Sequence, residues 1–208
     1  MQRCVIICGA EINKYEVVRS YLRPEDFIVC CDSGLKHLDG LSLQPDLIIG
    51  DFDSSENPHL PVETIVLPRE KDDTDSMAAV REMTKRGFED FLMLGVFGGR
   101  LDHTLENVYV LLWIAVHGGS AMAVDDYSEI EIVTTQKPAL IADSYSYFSL
   151  VAIAGKAEGV TIQNAKYNLE NAVILPEYQY AVSNEPLKEK AACVSVREGR
   201  LLLICDYE

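Results

Sequence analysis

No run of this 208-residue chain is apolar for long enough to cross a bilayer, so a membrane-spanning role is not expected. Residues 1–10 lead straight into Glu11 without a small-residue cleavage pattern; no export signal is read, and a cytoplasmic chain is expected. Basic residues are scarce, with 18 Lys and Arg against 33 Asp and Glu, which leaves a net charge of −15. A field of that sign repels nucleic-acid phosphates and disfavours DNA or RNA as a partner. It attracts cations, and it tolerates a polyphosphate once metal ions offset the like charge.

Recognised catalytic motifs are missing as well. No Gly-rich loop ends in Lys-Ser/Thr, and no Gly-x-Gly-x-x-Gly follows a strand. A serine or cysteine nucleophile motif is equally absent. The cysteines at 4, 8, 30, 31, 193 and 205 fit no zinc spacing. Most lie in apolar runs, where Cys behaves as a small core residue, and adjacent Cys30 and Cys31 point to opposite faces of a strand. Buried free thiols in a reducing compartment are the reading they support. Internal repeats and low-complexity stretches are not found. What remains is ordinary globular material: 48% hydrophobic and 25% charged residues, enough for one large domain or two modest ones.

From the start to residue 126, short apolar runs alternate with helix-like segments. Residues 4–8, 27–31, 47–49, 64–67, 91–94 and 121–124 read as strands. They lack polar alternation, as strands covered on both faces of a parallel sheet do. Residues 74–86 predict a helix with Met77, Val80 and Thr84 on one side and Gly87 as its stop. Residues 101–116 predict a second, with Leu105, Val108 and Leu112 on one face and His103 and Asn107 on another, polar one. The alternation predicts an α/β fold, an open and mostly parallel sheet with flanking helices. After residue 127 the pattern is all-β: 129–134, 147–153, 160–163 and 191–196 are rich in branched and aromatic residues. Glu198-Gly199 reads as a hairpin turn before 201–204. Two domains are expected, 1–126 as α/β and 127–208 as a smaller sandwich or partial barrel.

Ligands of an open α/β sheet bind beyond the carboxyl ends of its strands. Polar clusters follow those ends here: Asp32-Ser33-Gly34, Gly50-Asp51-Phe52-Asp53-Ser54, Lys71-Asp72-Asp73-Thr74-Asp75, and Gly98-Gly99-Arg100-Leu101-Asp102-His103. Asp51 and Asp53 are two apart in an extended loop, so both carboxylates face one way and repel unless a cation joins them. Mg2+ suits few carboxylates plus phosphate oxygens and water. Asp53 before Ser54 is also a common cap or turn former, but Gly50 gives a ligand access to the backbone and favours the metal. Asp73 or Asp75 would cap the helix at 74–86, although capping does not call for three carboxylates and a lysine in five positions. Lys71 can meet phosphates as a point charge while an aspartate holds the metal. Gly98-Gly99 lets the backbone approach an anion at the next helix start, with Arg100 alongside. His37, His59 and His117 read as structural, whereas the neighbours of His103 make it a candidate contact.

These segments, from Pro45-Asp46-Leu47-Ile48-Ile49-Gly50-Asp51-Phe52-Asp53-Ser54 through Lys71-Asp72-Asp73-Thr74-Asp75 to Gly98-Gly99-Arg100-Leu101-Asp102-His103 with Asn107, closely resemble the thiamine pyrophosphokinase family. The likeness continues through Ser183-Asn184-Glu185 and the final hairpin. It implies an α/β catalytic domain, a β-rich thiamine-binding and dimerisation domain, and a homodimer that makes thiamine diphosphate and AMP from ATP and thiamine. By the same resemblance Asp51, Asp53, Asp72 and Asp75 match catalytic positions that hold Mg2+, with Lys71 beside them. Asp32, Ser33, Gly34, Lys71, Thr74, Arg100, Asp102, His103 and Asn107 match the ATP-binding segments, and Ser183 and Asn184 match the segment that meets thiamine. The chain departs from the pattern at Gly9-Ala10, where the family often has paired glycines. The only tryptophan, Trp113, falls inside a helix, and Tyr178 and Tyr180 are the candidates by position for an aromatic cover over thiamine.

Two other readings compete. Ile49-Gly50-Asp51-Phe52-Asp53 resembles the strand and nucleophilic Asp-x-Asp of haloacid-dehalogenase-like phosphatases, but here the pair follows a third strand instead of opening the sheet. A catalytically silent nucleotide or thiamine sensor would not need the full charged set. Replacing Asp53 with Asn is expected to cut AMP formation strongly while leaving the fold intact; an active variant with ordinary magnesium dependence would falsify the metal role.

Overall fold

Strands form where branched apolar side chains follow one another without interruption. The structure, a computed structural model, describes residues 2–52, 60–68, 70 and 72–207. The chain divides into two units, Met1–Asp126 and Tyr127–Glu208. The first contains β1 (Cys4–Ile7), β2 (Phe27–Cys31), β3 (Leu47–Gly50), β4 (Glu63–Val66), β5 (Asp90–Leu94) and β6 (Ser120–Val124). They pair in the order β4-β3-β2-β1-β5-β6, all parallel. Every residue of β1 and β3 is buried, as expected for strands with both faces covered. Strand β4 differs. Its ends are exposed because it lies at the sheet edge.

Around this sheet run α1 (Tyr15–Arg19), a 3-10 helix (Asp32–His37) continued by α2 (Leu38–Leu41), α3 (Asp75–Lys85) and α4 (Leu101–Val116). Thr74 caps α3 by accepting the Met77 N–H at 3.3 Å. Gly87 ends it at φ +92°, with Phe88 N–H on Met83 O at 3.1 Å and Gly87 N–H on Thr84 O at 3.0 Å. Gly118 ends α4 in the same way.

The spans of both helices match expectation, but their faces do not. Helix α3 buries Ser76, Ala79, Val80 and Met83, and α4 buries Asn107, Val110, Leu111 and Ile114. On α4 Asn107 therefore faces inward while His103 stays exposed, and Leu101 and Leu105 are 69% and 53% exposed. Two apolar stripes share that helix, and the sequence pattern alone does not say which one meets the sheet.

The second unit carries β7 (Ser128–Val133), β8 (Ala139–Ile141), β9 (Tyr147–Ala152), β10 (Ala157–Gln163), β11 (Leu169–Ile174), β12 (Ala192–Ser195) and β13 (Leu201–Asp206). Strand β13 pairs antiparallel with β7 and β9, and a four-stranded antiparallel sheet runs β11-β10-β12-β8. Phe148, Leu150, Leu201 and Leu203 of one sheet share a core with Ile141, Val160, Ile162 and Val194 of the other, which makes the unit a sandwich. The expected hairpin at Glu198-Gly199 is corrected. Strands β12 and β13 belong to different sheets, and the turn carries the chain between them, held by Glu158 N–H on Glu198 O at 2.8 Å. Among the described residues no helix is long and apolar enough to cross a membrane.

The first unit also contains a buried ion pair. Arg3 donates through Nε and Nη2 to the two carboxylate oxygens of Asp26, at 3.0 and 2.7 Å, and the Asp26 side chain is wholly inaccessible. The second Asp26 oxygen also accepts the Arg23 N–H at 2.8 Å, which pins the turn before β2. Removing one partner strands a buried charge, so Arg3→Met is expected to lower unfolding stability by about 3–5 kcal/mol. Adding Asp26→Leu should restore most of it. Urea denaturation of the single and double variants checks this, and a single variant as stable as the parent would show that the pair holds nothing.

Candidate active site

In the strand order, β1 lies between β2 and β5, so the chain leaves β1 toward one side and reaches β5 only after crossing back. The carboxyl ends there form a topological switch point, where open α/β sheets bind ligands. A cavity of about 380 Å³ opens at this place, walled by residues 8–11 after β1, Cys31 at the end of β2 and Ser33 after it, Gly95, Val96 and Gly98 to Arg100 after β5, and the starts of α3 and α4.

Glycines make the geometry possible. A Cβ on Gly34 would stand 2.2 Å from Ile7 O, so only glycine lets the 3-10 helix cross β1 so closely. A Cβ on Gly50 would meet Asp32 Cβ at 2.6 Å. The expected role of Gly50, giving a ligand access to the backbone, is therefore corrected: the space is filled by the Asp32 side chain.

Asp32 is 3% exposed, and its carboxylate accepts the N–H groups of Ser33 and of Phe52, the latter at 3.1 Å. Ligand oxygens of Asp32, Asp51 and Asp75 lie within 4.8 Å of one another. Burial, then the charge of Asp75, pushes the Asp32 carboxyl above its ordinary range; the two N–H donors pull the other way, and Asp51 adds to the rise. Oxygen donors crowded so closely suit a hard divalent cation, which relieves the repulsion that their proximity creates.

The expected residues fall into distinct places. Asp51 and Asp75 belong to the carboxylate set, and Asp32, assigned on sequence to the nucleotide, joins them. Asp72 is exposed and is not among them. Asp53 and Lys71 lie outside the described residues, as does His59. Ser33, Thr74, Arg100, His103 and Asn107 line the cavity. Gly98 and Gly99 adopt φ of +107° and +66°, the left-handed region that favours glycine, and Gly98 N–H donates to Thr104 Oγ1 at 3.1 Å. Arg100 and Asp102 are exposed and paired, Nη2 to Oδ2 at 2.6 Å, which holds the Asp102 carboxyl down at about 2.

Asn107 is buried with both ends of its carboxamide engaged. It donates to Val96 O at 2.8 Å and accepts from Ser76 Oγ at 2.7 Å, so it ties α3, α4 and the β5 loop together. Glu106, beside Ser76 and partly buried, has its carboxyl raised by burial, with hydrogen bonds from Thr74 and Ser76 opposing. Sequence reading passed over Ser76 and Glu106 because neither stands in an acidic or Gly-rich cluster. His37 is structural as expected: it accepts the Tyr15 hydroxyl at 2.8 Å and donates to Ala10 O at 2.8 Å.

In the second unit Ser183 is exposed at φ +57°, and its N–H donates to Ser149 Oγ at 3.1 Å. Asn184 is buried, accepting from Tyr167 and Glu185 N–H and donating to Tyr167 O. Its carboxamide holds the loop at 165–168. Tyr178 and Tyr180 form an exposed pair with ring centroids 5.5 Å apart. Trp113 instead stacks on His117 at 3.9 Å.

Comparison with known proteins agrees with this layout. The family model described as thiamin pyrophosphokinase, catalytic domain, matches residues 18–122, and the one described as thiamin pyrophosphokinase, vitamin B1 binding domain, matches residues 129–201. The chain is 24% identical over 211 residues to a Bacillus subtilis (strain 168) protein named thiamine pyrophosphokinase, covering 98% of each. A solved structure of thiamine pyrophosphokinase from Bacillus subtilis superposes with a TM-score of 0.87 at 21% identity over the whole of both chains. One from Geobacillus thermodenitrificans gives 0.84 at 24% identity, over all of this chain and 98% of that one.

The carboxylate set generates a test that needs no substrate. Because the folded pKa of Asp32 is raised, the metal-free protein loses this group's contribution as pH rises from the ordinary carboxylate value through the raised one. A bound divalent cation competes with that proton, so the gain in Tm from Mg2+ over chelator should grow across the same window. At about a hundredfold excess over its Kd the ion adds about 2.7 kcal/mol. Asp51→Asn should remove most of the gain. A Tm at pH 7 indifferent to Mg2+ would leave the acidic set without a ligand.

Proposed function

The chain belongs to the thiamin pyrophosphokinase family, and from that premise we propose that it transfers the pyrophosphoryl group of Mg-ATP to the hydroxyl of thiamine, yielding thiamine diphosphate and AMP. The observation that carries this reading is the convergence of Asp32, Asp51 and Asp75 beside a cavity at the sheet's switch point. The acidic set fits a hard cation, and such an ion, when bound, neutralises phosphate oxygens.

Each wall of the cavity then has a task. The left-handed Gly98-Gly99 turn brings backbone close to the triphosphate, and Arg100 and His103 at the head of α4 face its negative charge. Arg100 exchanges part of its pairing with exposed Asp102 for phosphate, a small loss because surface pairs are weak. Asp32, gripped by two N–H groups and wedged against Gly50, fixes where the other two carboxylates meet. Ser76 and Asn107 lock α3 to α4 so that Asp75 stays in place. Asp53, Asp72 and Lys71 are assigned to the site by the family resemblance alone. Thiamine's hydroxyl attacks the β-phosphorus and AMP departs, a transfer that needs alignment and charge compensation more than a covalent intermediate.

The β unit supplies the thiamine side, with Ser183 presented at its surface and Asn184 shaping the loop behind it. The active assembly is a homodimer, and the six free cysteines suit a cytoplasmic setting.

Incubating the protein with ATP, Mg2+ and thiamine and resolving the products tests the whole. One AMP is expected for each thiamine diphosphate. Release of inorganic phosphate with a trapped phospho-aspartate at Asp51, or no AMP at all, would overturn the reading. Asp51→Asn and Asp75→Asn are each expected to lower kcat by about a hundredfold to a thousandfold, the scale of losing one preorganised charge contact.

A further inference from the structure

Helix α3 and the edge strand β4 do not close on one another. Strand β4 ends the parallel sheet on its side, and Ile65 and Leu67, on the face turned to α3, stay only half-buried. Between them and the helix lies a groove of about 510 Å³, floored by Ile49, Ile65, Leu67 and Ala78 and reached by Trp113 of α4. It shares no lining residue with the cavity at the switch point.

Ion pairs brace the groove from two sides. Arg86, just past the end of α3, donates through Nη1 and Nη2 to the two carboxylate oxygens of Glu63 on β4, at 2.9 and 2.6 Å. This two-pronged contact ties the helix end to the edge strand at a fixed spacing. Arg81 Nε stands 3.4 Å from Asp73 Oδ2, and the same guanidinium lies over the Trp113 ring, 5.7 Å from its centroid. The apolar floor is thus held open in the folded chain.

Four charged side chains line this groove: Asp73, Arg81, Glu82 and Lys85. Asp73 is paired with Arg81, and Glu82 accepts from Arg86 Nε at 2.9 Å. Lys85 is left as the cation with no partner among the described residues.

We propose that the groove binds a small organic monoanion with a flat apolar body, of the arenesulfonate or arenecarboxylate class. The acid group sits on Lys85 and the rings cover Ile65 and Leu67. Ligand pockets commonly measure about 300–1,000 Å³, with apolar walls and a few polar groups that fix orientation, and this groove has that form. Burial of the rings supplies attraction without direction. The free ammonium supplies the direction: a cationic ligand meets carboxylates already engaged, and a neutral one gains the floor alone. The site stands apart from the proposed reaction and does not depend on it.

Anilinonaphthalene sulfonate is the probe, and the indole N–H resonance of Trp113, the chain's only tryptophan, is the reporter. Titration into the full chain should move that resonance to saturation. Lys85→Gln should weaken the sulfonate about tenfold, the scale of one charge-assisted contact, and Lys85→Arg should retain it. N-phenylnaphthylamine, the same rings without the acid group, should bind parent and Lys85→Gln alike. Excess Mg-ATP should leave the dye in place, and so should Leu140→Asp on exposed β8 of the second unit. An unmoved indole resonance, or equal losses for both probes in Lys85→Gln, overturns the proposal. So does displacement of the dye by Mg-ATP, which puts it in the switch-point cavity, or its loss in Leu140→Asp, which puts it in the second unit. A preparation that makes no AMP yet meets these expectations refutes the proposed reaction and keeps the groove.

Discussion

The site depends on holding like charges together. Three carboxylates with oxygens within 4.8 Å of one another repel, and one of them, Asp32, is almost wholly removed from water. Burial and crowding both disfavour its charged form. The fold accommodates this with two backbone N–H groups aimed at Asp32 and with the missing side chain of Gly50, which leaves room for the carboxylate against the end of β3. Stability is thereby sacrificed at a point where the proposed metal site needs convergent negative charge.

The parallel sheet makes such convergence economical. Asp32 follows β2 and Asp51 follows β3, so register between neighbouring strands places both on one edge. Asp75 arrives from the first turn of α3, whose N-terminal dipole favours a carboxylate. The elements that deliver these groups are anchored away from the chemistry. Arg3 and Asp26 fix the turn before β2, and Asp126 accepts the N–H groups of Asn13 and Lys14 to fix the loop after β1. Precision at the edge comes from rigid supports below it.

Much of this was legible before any coordinates, and the failures share a cause. Uninterrupted apolar runs marked the six parallel strands of the first unit, and Gly87 and Gly118 marked both helix ends, because these signals are local. What required partners was misread. Helix α4 carries apolar residues on two sides, and its buried side includes polar Asn107, whose hydrogen bonds to Ser76 and Val96 make it suitable for the interior. The turn at Glu198-Gly199 has hairpin composition, yet β12 and β13 pair with other strands. Gly50 was correctly marked as a place of close approach, but the approaching group comes from 18 residues earlier in the chain, a fact that no window of sequence contains. Asp32 was singled out for the same site in a different role, since its neighbours Asp51 and Asp75 become its neighbours only on folding.

Under the proposed transfer from Mg-ATP, charge accounts for selection of the nucleotide as its metal complex. The chain carries a net −15, and along the described cavity wall Arg100 is the permanent cation, already engaged with Asp102. A bare triphosphate approaching Asp75 and its two companions would meet repulsion at short range, where screening by salt is weakest. The same carboxylates attract a dication, which carries the positive charge that the wall lacks. Under that proposal the acidic field acts as a filter on the form of the substrate: free nucleotide is repelled, and nucleotide sheathed in metal is drawn in. Added lysines would have strengthened the grip on phosphate but would have weakened this discrimination. The acidity of the site is therefore part of its selectivity.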